Sequence, residues 1–226
     1  MTAELGRPAI VAVVFDFDGT LVDSSAIKKN SFMHALGAGK TVDQDKCKQA
    51  YTAHGTINRI RLLALSFTDI YSRPPSPEEH EELVGAYTAY FRAHMDQVML
   101  FPGLSEFYAK FGDRYQLMIS SNAPRPEIAE LCDKLNISQY FTRIYGHPVG
   151  KAEALLKILA DLELTQDNVL YIGDRVEDGI VADSVGVAFF RLDPGFHSAS
   201  TTEGILRSLS ELADTITGLE SGVQSL

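Results

Sequence analysis

Val13-Val14-Phe15-Asp16-Phe17-Asp18-Gly19-Thr20-Leu21 is the stretch on which the reading of this chain turns. The run leading into it, Ile10 to Phe15, is wholly apolar and rich in β-branched residues, the pattern of a parallel strand buried on both faces. It ends in two carboxylates one residue apart, followed by Gly-Thr. Carboxylates beside a core cost free energy unless a cation or hydrogen bonds compensate them. In an open α/β sheet, ligands sit beyond the carboxyl ends of strands, and Asp16 and Asp18 stand at such an end. Taken alone, the stretch also fits a polar turn in which Gly19 supplies an unusual backbone conformation.

Downstream of Ser24 the pattern changes. From Ser25 to about Gln97 apolar residues recur at helical spacing, as in Ile27, Phe32, Ala35 and Leu36 and again in Ile57, Ile60, Leu63, Ala64 and Phe67. Thr41 to Gln44 reads as a capping box opening a helix through Tyr51. Ser76-Pro77-Glu78-Glu79 reads as a second, with Ser76 as N-cap, Pro77 at the first helical position and a helix running toward Met95. One βαβ crossover needs one helix, not four or five, so a helical block is inserted directly after the first strand. The expected division is residues 1–23 and 98–226 as one α/β domain and 24–97 as a helical domain.

From Phe101-Pro102-Gly103 onward, strand and helix patterns alternate. Helices are expected over 104–111, from Pro126 through Leu135, from Lys151 to Leu162, through Ser184, and over 209–217. Strands are expected over 115–120, near 143–145, over 169–172, over 187–190, and as a short piece at 204–206. Residues 1–8 and the last few are expected to be loose. The alternation predicts a doubly wound, mostly parallel, Rossmann-like α/β sheet.

Four polar clusters each follow an apolar strand: Asp16 with Asp18, Ser121, Lys151, and Asp174 with Asp178. Parallel strands share one carboxyl edge, so the clusters can converge. Several carboxylates at close range raise each other's pKa, and a hard divalent cation such as Mg²⁺ resolves the repulsion. Taken singly, Ser121, Asp174 and Asp178 also fit helix N-caps.

Composition narrows the function classes. A net charge of −10 argues against a nucleic-acid partner, which calls for a basic face. An anionic substrate must then be attracted locally, by a metal or a few basic groups. Cys47 and Cys132 lack metal-ligand spacing and read as free thiols of a reducing compartment. No apolar run approaches membrane-spanning length and no signal peptide is evident, so a cytoplasmic protein without a membrane partner is expected. A monomer and a homodimer are both open.

The motif Asp16-Phe17-Asp18-Gly19-Thr20-Leu21-Val22-Asp23-Ser24, followed in order by Ser121-Asn122, Lys151 and Gly173-Asp174, resembles the haloacid dehalogenase superfamily over essentially the whole chain. The resemblance implies that the helical block is a cap on the α/β core. It implies Asp16 as a nucleophile forming an aspartyl-phosphate and Asp18 as general acid and then base. It implies a Mg²⁺ site from the carboxylates of Asp16 and Asp174 and the backbone carbonyl of Asp18, with Asp178 in its first or second shell. Ser121, Asn122, Gly19, Thr20 and Lys151 would bind the phosphoryl group, with Lys151 neutralising charge on Asp16. Arg59 and Arg125 are candidates for substrate specificity. Arg59 and Arg61, two apart on one helix, cannot point the same way.

Within the family that the chain resembles, dehalogenases and phosphonatases lack the acid that stands here as Asp18, so its presence looks like a phosphatase or a phosphomutase. The third motif departs from the Lys-Pro of many relatives, reading Gly150-Lys151-Ala152. The implied activity is a phosphatase acting on a small phosphorylated metabolite, resembling the capped phosphoglycolate phosphatases. The alternatives are a sugar phosphomutase resembling the β-phosphoglucomutases, and a non-catalytic module that keeps the fold. The intact set of mutually repelling carboxylates argues against the last.

Overall fold

The structure is a computed structural model that describes residues 10–37, 39, 41–55, 57–195 and 205–220. In chain order the elements begin with β1 (Ala12–Phe15) and β2 (Val22–Asp23). Then come α1 (Ser25–Ala35), α2 (Gln44–His54), α3 (Arg59–Tyr71) and α4 (Pro77–Ala93). The chain continues with β3 (Met99–Leu100), α5 (Leu104–Phe111), β4 (Gln116–Pro124), α6 (Arg125–Lys134) and β5 (Arg143–His147). It closes with α7 (Lys151–Asp161), β6 (Val169–Gly173), α8 (Val176–Val185), β7 (Ala188–Leu192), β8 (Ile205–Leu206) and α9 (Leu209–Glu220). The chain divides into two compact units, Met1–Asp23 with Leu100–Leu226, and Ser24–Met99.

The first unit holds a six-stranded sheet in the order β5-β4-β1-β6-β7-β8. Every recorded pairing within it is parallel. β1 lies between β4 and β6, with Phe15 level with Ile119 on one side and Ile172 on the other. That register carries Asp16, Ser120 and Gly173 to the same edge. Both faces of β1 are buried, which is why its sequence shows no alternation. Ala12 and Val14 pack with Met118 and Tyr171 against Leu155 and Ile158 of α7 and Ala182 of α8. On the other face Phe15 meets the Phe107 ring of α5 edge-on at 5.6 Å between centroids.

The second unit is the helical block. α4 opens on the capping box expected there: Ser76 Oγ accepts from Glu79 N at 3.2 Å, and Ser76 N donates to Glu79 Oε2 at 2.8 Å. Arg73 adds a two-pronged contact to the same carboxylate, at 2.7 and 2.6 Å. α2 differs from expectation. Its N-cap is Asp43, whose Oδ1 accepts from Asp45 N and Lys46 N at 2.9 and 3.1 Å, and the helix runs on to His54. A charged acceptor against the positive helix end makes a strong cap, and Thr41 instead turns its hydroxyl to Gly37 O.

Two further differences bear on the site. β4 continues through Pro124, with an irregular register between Ser120 and Pro124, so Ser121 and Asn122 lie on strand rather than in a loop. β2 and β3 pair as a two-stranded ribbon that no periodicity signalled. The expectations for residues 1–8, for Gly204 and for the last six residues lie outside the described chain. Cys47 and Cys132 are buried free thiols. Among the described residues, no helix is long and apolar enough to cross a membrane.

Candidate active site

Asp16 is the first residue beyond β1, and its backbone N–H donates to Ile172 O at 2.7 Å, which fixes it to β6. Its side chain is almost fully buried. Burial raises its carboxyl to about 7; Lys151 opposes the rise, while Asp178, Asp174 and Asp18 add to it.

The turn after Asp16 is held by its own backbone. Leu21 N and Val22 N donate to Phe17 O, and Gly19 N donates to Val22 O at 2.8 Å. The N–H of Gly19, expected to face a phosphate, is therefore engaged within the turn. The glycine is required for another reason. Its φ of +91° lies in the left-handed region, and a Cβ there would collide with the Asp174 carboxylate. Gly173 makes a similar allowance, since a Cβ on it would lie 2.6 Å from Asp178 Cγ. Glycine at these two positions leaves room for the Asp174 carboxylate beside the turn and for the Asp178 carboxylate beside the end of β6.

Asp174 follows β6 directly. Its backbone oxygen accepts from Arg191 Nε at 2.9 Å, and its Oδ2 lies 3.7 Å from Arg175 Nε. Its Oδ1 is buried with no hydrogen-bond partner among the described residues. Burial raises this carboxyl to about 6, against the pull of Arg175. One carboxylate oxygen each from Asp16, Asp174 and Asp178 lie within 4.8 Å of one another. A buried carboxylate oxygen without a donor, beside two further carboxylates, fits a hard cation.

Lys151 answers this charge from the first position of α7. A cation is disfavoured at that end of a helix, so the placement calls for compensation, and the site supplies it. Lys151 Nζ lies 2.9 Å from Asp16 Oδ1 and 2.6 Å from Asp178 Oδ1, with all three side chains buried. Burial works against the ammonium, but Asp16, Tyr171 and Asp178 outweigh it and hold its pKa well above the usual lysine value.

Asp178 sits in the first turn of α8, and its oxygens are engaged. Oδ1 accepts from Lys151 Nζ and from the Tyr171 hydroxyl at 3.1 Å, and Oδ2 accepts from Arg175 N at 3.2 Å. Its geometry is that of a group orienting Lys151. Tyr171 is the residue that sequence reasoning missed. The only signal for it is a single hydroxyl in the otherwise apolar strand Val169–Gly173, on the face turned to α7 and α8.

Ser121 Oγ is 3.4 Å from Asp18 Oδ2 and accepts from Ala123 N at 3.2 Å. Ser120 Oγ and Thr20 Oγ1 are buried without a hydrogen-bond partner among the described residues. Asn122 is exposed. The structure therefore brings Asp16, Asp174, Asp178 and Lys151 into one cluster and joins Ser121 to Asp18. The two specificity candidates have other contacts. Arg125 Nε donates to Ile144 O at 3.0 Å, tying α6 to β5. Arg59, in the helical unit, lies over the Tyr87 ring at 4.5 Å and donates to Thr88 Oγ1 at 3.2 Å, while Arg61 is exposed.

Residues 13–192 match the family model described as haloacid dehalogenase-like hydrolase. The chain is 26% identical over 226 residues to a phosphoglycolate phosphatase of Photorhabdus laumondii subsp. laumondii, covering 94% of each protein. Among solved structures, a predicted phosphoglycolate phosphatase from Haemophilus somnus 129PT superposes with a TM-score of 0.75 at 17% identity, covering 91% of this chain and 97% of that one. The HAD-hydrolase YfnB of Bacillus subtilis, solved bound to magnesium, gives a TM-score of 0.68 at 16% identity, covering 92% and 99%. At such identities the structural likeness bears on the fold alone.

Proposed function

The chain belongs to the haloacid dehalogenase-like hydrolases, and we propose that within this family it is a Mg²⁺-dependent phosphatase acting on a small phosphomonoester through an aspartyl-phosphate at Asp16. The observation that carries the reading is the buried Asp16 carboxylate, 2.9 Å from Lys151 Nζ, beside an Asp174 oxygen with no hydrogen-bond donor among the described residues. Burial, with a smaller push from the neighbouring carboxylates, raises the pKa of Asp16 and of Asp174, so these groups hold their charge poorly without a cation.

Asp16 and Asp174 would hold the cation. A divalent ion bound there supplies neutralisation of the carboxylates and of the phosphoryl oxygens. Asp16 attacks phosphorus, the new P–O bond forming as the ester oxygen departs. Asp18, two residues on, gives that oxygen its proton and later takes one from the water that hydrolyses the acyl phosphate. Lys151, fixed by Asp178 and Tyr171, balances charge on Asp16 and on the group in transfer. Ser121 offers its hydroxyl to a phosphoryl oxygen. Little covalent work is asked of the protein beyond the nucleophile; positioning and charge do the rest. The segment Ser24–Met99 is read as a cap that selects the substrate. The free thiols at Cys47 and Cys132 suit a reducing, cytoplasmic setting.

The test is phosphate release by the purified full chain from a panel of phosphomonoesters in Mg²⁺, with 2-phosphoglycolate, after the relative's name, at its head. Metal-dependent release from at least one ester, abolished by EDTA, supports the reading. No release from any of them, p-nitrophenyl phosphate included, contradicts it. Isomerised sugar phosphate from β-glucose 1-phosphate, without free phosphate, would instead identify a phosphomutase.

A further inference from the structure

In a chain of net charge −10, the site around Asp16 must attract an anion locally. Lys151 is poorly placed to do so alone, because its ammonium is buried between Asp16 and Asp178, at 2.9 and 2.6 Å. With Asp18 holding the proton that it gives to the leaving oxygen, Asp16, Asp174 and Asp178 carry three negative charges. Lys151 and a divalent cation offset these and no more. A phosphomonoester dianion then finds no charge of its own.

Most arginines of the α/β unit are committed to the protein. Arg125 bonds to Ile144 O, Arg143 to Asp161, Arg191 to Asp174 O and Arg207 to Asp193. Arg175 differs. Its backbone is fixed, since its N–H donates to Asp178 Oδ2 at 3.2 Å. Its Nε lies 3.7 Å from Asp174 Oδ2, too far for a hydrogen bond, and its guanidinium makes no hydrogen bond among the described residues. The side chain is 41% exposed, against 6% for Asp174. The guanidinium is thus held at the carboxylate by charge, with its donors unspent.

Asp174 divides its two oxygens. Oδ2 faces Arg175 and lies against the Gly19 turn, where a Cβ would collide with it. Oδ1, with no donor among the described residues, is left for a cation. Sharing the Asp174 charge with a cation weakens its hold on Arg175. The guanidinium fork then suits phosphate oxygens.

We propose that Arg175 is a further substrate-binding residue, whose guanidinium takes oxygens of the phosphate group beside Asp174. This role rests on the phosphatase reading of the site and adds a residue to it. The same contact would hold the inorganic phosphate that the reaction releases.

The probes are an ester that the full chain turns over and inorganic phosphate. Arg175→Gln is expected to raise KM and the inhibition constant of phosphate together, each by about tenfold, with kcat much less affected. Arg175→Lys, which keeps the charge and loses the fork, should lie between the wild type and Arg175→Gln. Calorimetric titration of Mg²⁺ into the substrate-free protein separates contact with phosphate from support of Asp174. Arg175→Gln should bind Mg²⁺ as tightly as the wild type or more tightly, because a positive charge has left. Weaker Mg²⁺ binding would make Arg175 a prop for Asp174 and overturn the proposal. So would an unchanged inhibition constant in a folded, active variant. A wild type that turns over no ester contradicts the phosphatase reading instead. Calorimetry with phosphate in Mg²⁺ then still decides on Arg175: binding weakened in Arg175→Gln upholds the contact, and equal binding, or none by the wild type, overturns it.

Discussion

Lys151 and Asp16 form an ion pair at 2.9 Å in which both side chains are more than nine-tenths buried. The pair joins the first residue of one helix to the first residue beyond the central strand, across a long stretch of sequence. Removing one partner of a buried pair leaves an uncompensated charge. Here Asp178 and Asp174 lie beside it, so the charges are distributed over a cluster. The cluster suits a phosphoryl group and a cation better than it suits an empty core.

Asp16→Asn should reduce turnover by about 10⁴-fold or more, because an amide neither attacks phosphorus nor ligates a hard cation well. The fold should persist, since the amide oxygen can still accept from Lys151. Steady-state assays with circular dichroism check both parts. Retention of more than a few per cent of activity in a clean preparation would remove Asp16 from the nucleophile role.

Without metal, stability should fall as the pH rises from about 4 toward 7. The carboxyls of Asp16 and Asp174 are raised from 3.8 to about 7 and about 6, so in this window the folded state holds protons that the unfolded chain has released. The stabilisation is complete below the unfolded pKa and lost as the pH passes the folded ones. Urea unfolding in EDTA should therefore show a lower midpoint at pH 8 than at pH 5. Asp16→Asn should reduce the difference and Mg²⁺ should restore the midpoint at pH 8. A midpoint that rises between pH 5 and 8 in EDTA would contradict the burial of these charges.

Asp18→Asn should slow phosphoryl transfer from alkyl phosphates far more than from p-nitrophenyl phosphate, whose leaving group needs little protonation. Single-turnover rates on the two ester types read this directly. Equal losses would argue against general-acid catalysis by Asp18.

Tyr171→Phe removes a hydroxyl that donates to Asp178 at 3.1 Å while leaving the buried ring in place. Groups that orient a reacting side chain commonly contribute 10–100-fold. kcat is expected to fall by about tenfold with KM nearly unchanged, because the hydroxyl acts through Asp178 and Lys151. Unchanged kcat would make the contact purely structural, whereas a rise in KM alone would point to substrate binding.

The sheet and its edge were legible because the signals are local. An apolar run into Asp16-x-Asp18, and the capping box at Ser76, need only a few residues to be recognised. In the sequence, Thr41 and Asp43 compete as caps for α2, and only the backbone decides which side chain meets the first N–H groups. The ribbon of Val22–Asp23 with Met99–Leu100 is two residues long on each side, too short for any periodicity. At the site, residue types gave the carboxylates and the lysine. The engagement of Asp178 by Lys151, Tyr171 and Arg175 is a tertiary fact, as is the collision that keeps Gly19 a glycine. Arg59 shows the same limit: its stacking on Tyr87 joins residues far apart in sequence, which helical spacing alone does not reveal.

The most direct test is to mix the full chain with a phosphomonoester that it turns over, quench in acid within one turnover, and map the phosphorylated peptide by mass spectrometry. A phosphoryl group is expected on the peptide containing Asp16, absent from Asp16→Asn and lost on a chase at neutral pH. Turnover at full rate with no phosphorylated Asp16 peptide at any time would contradict it.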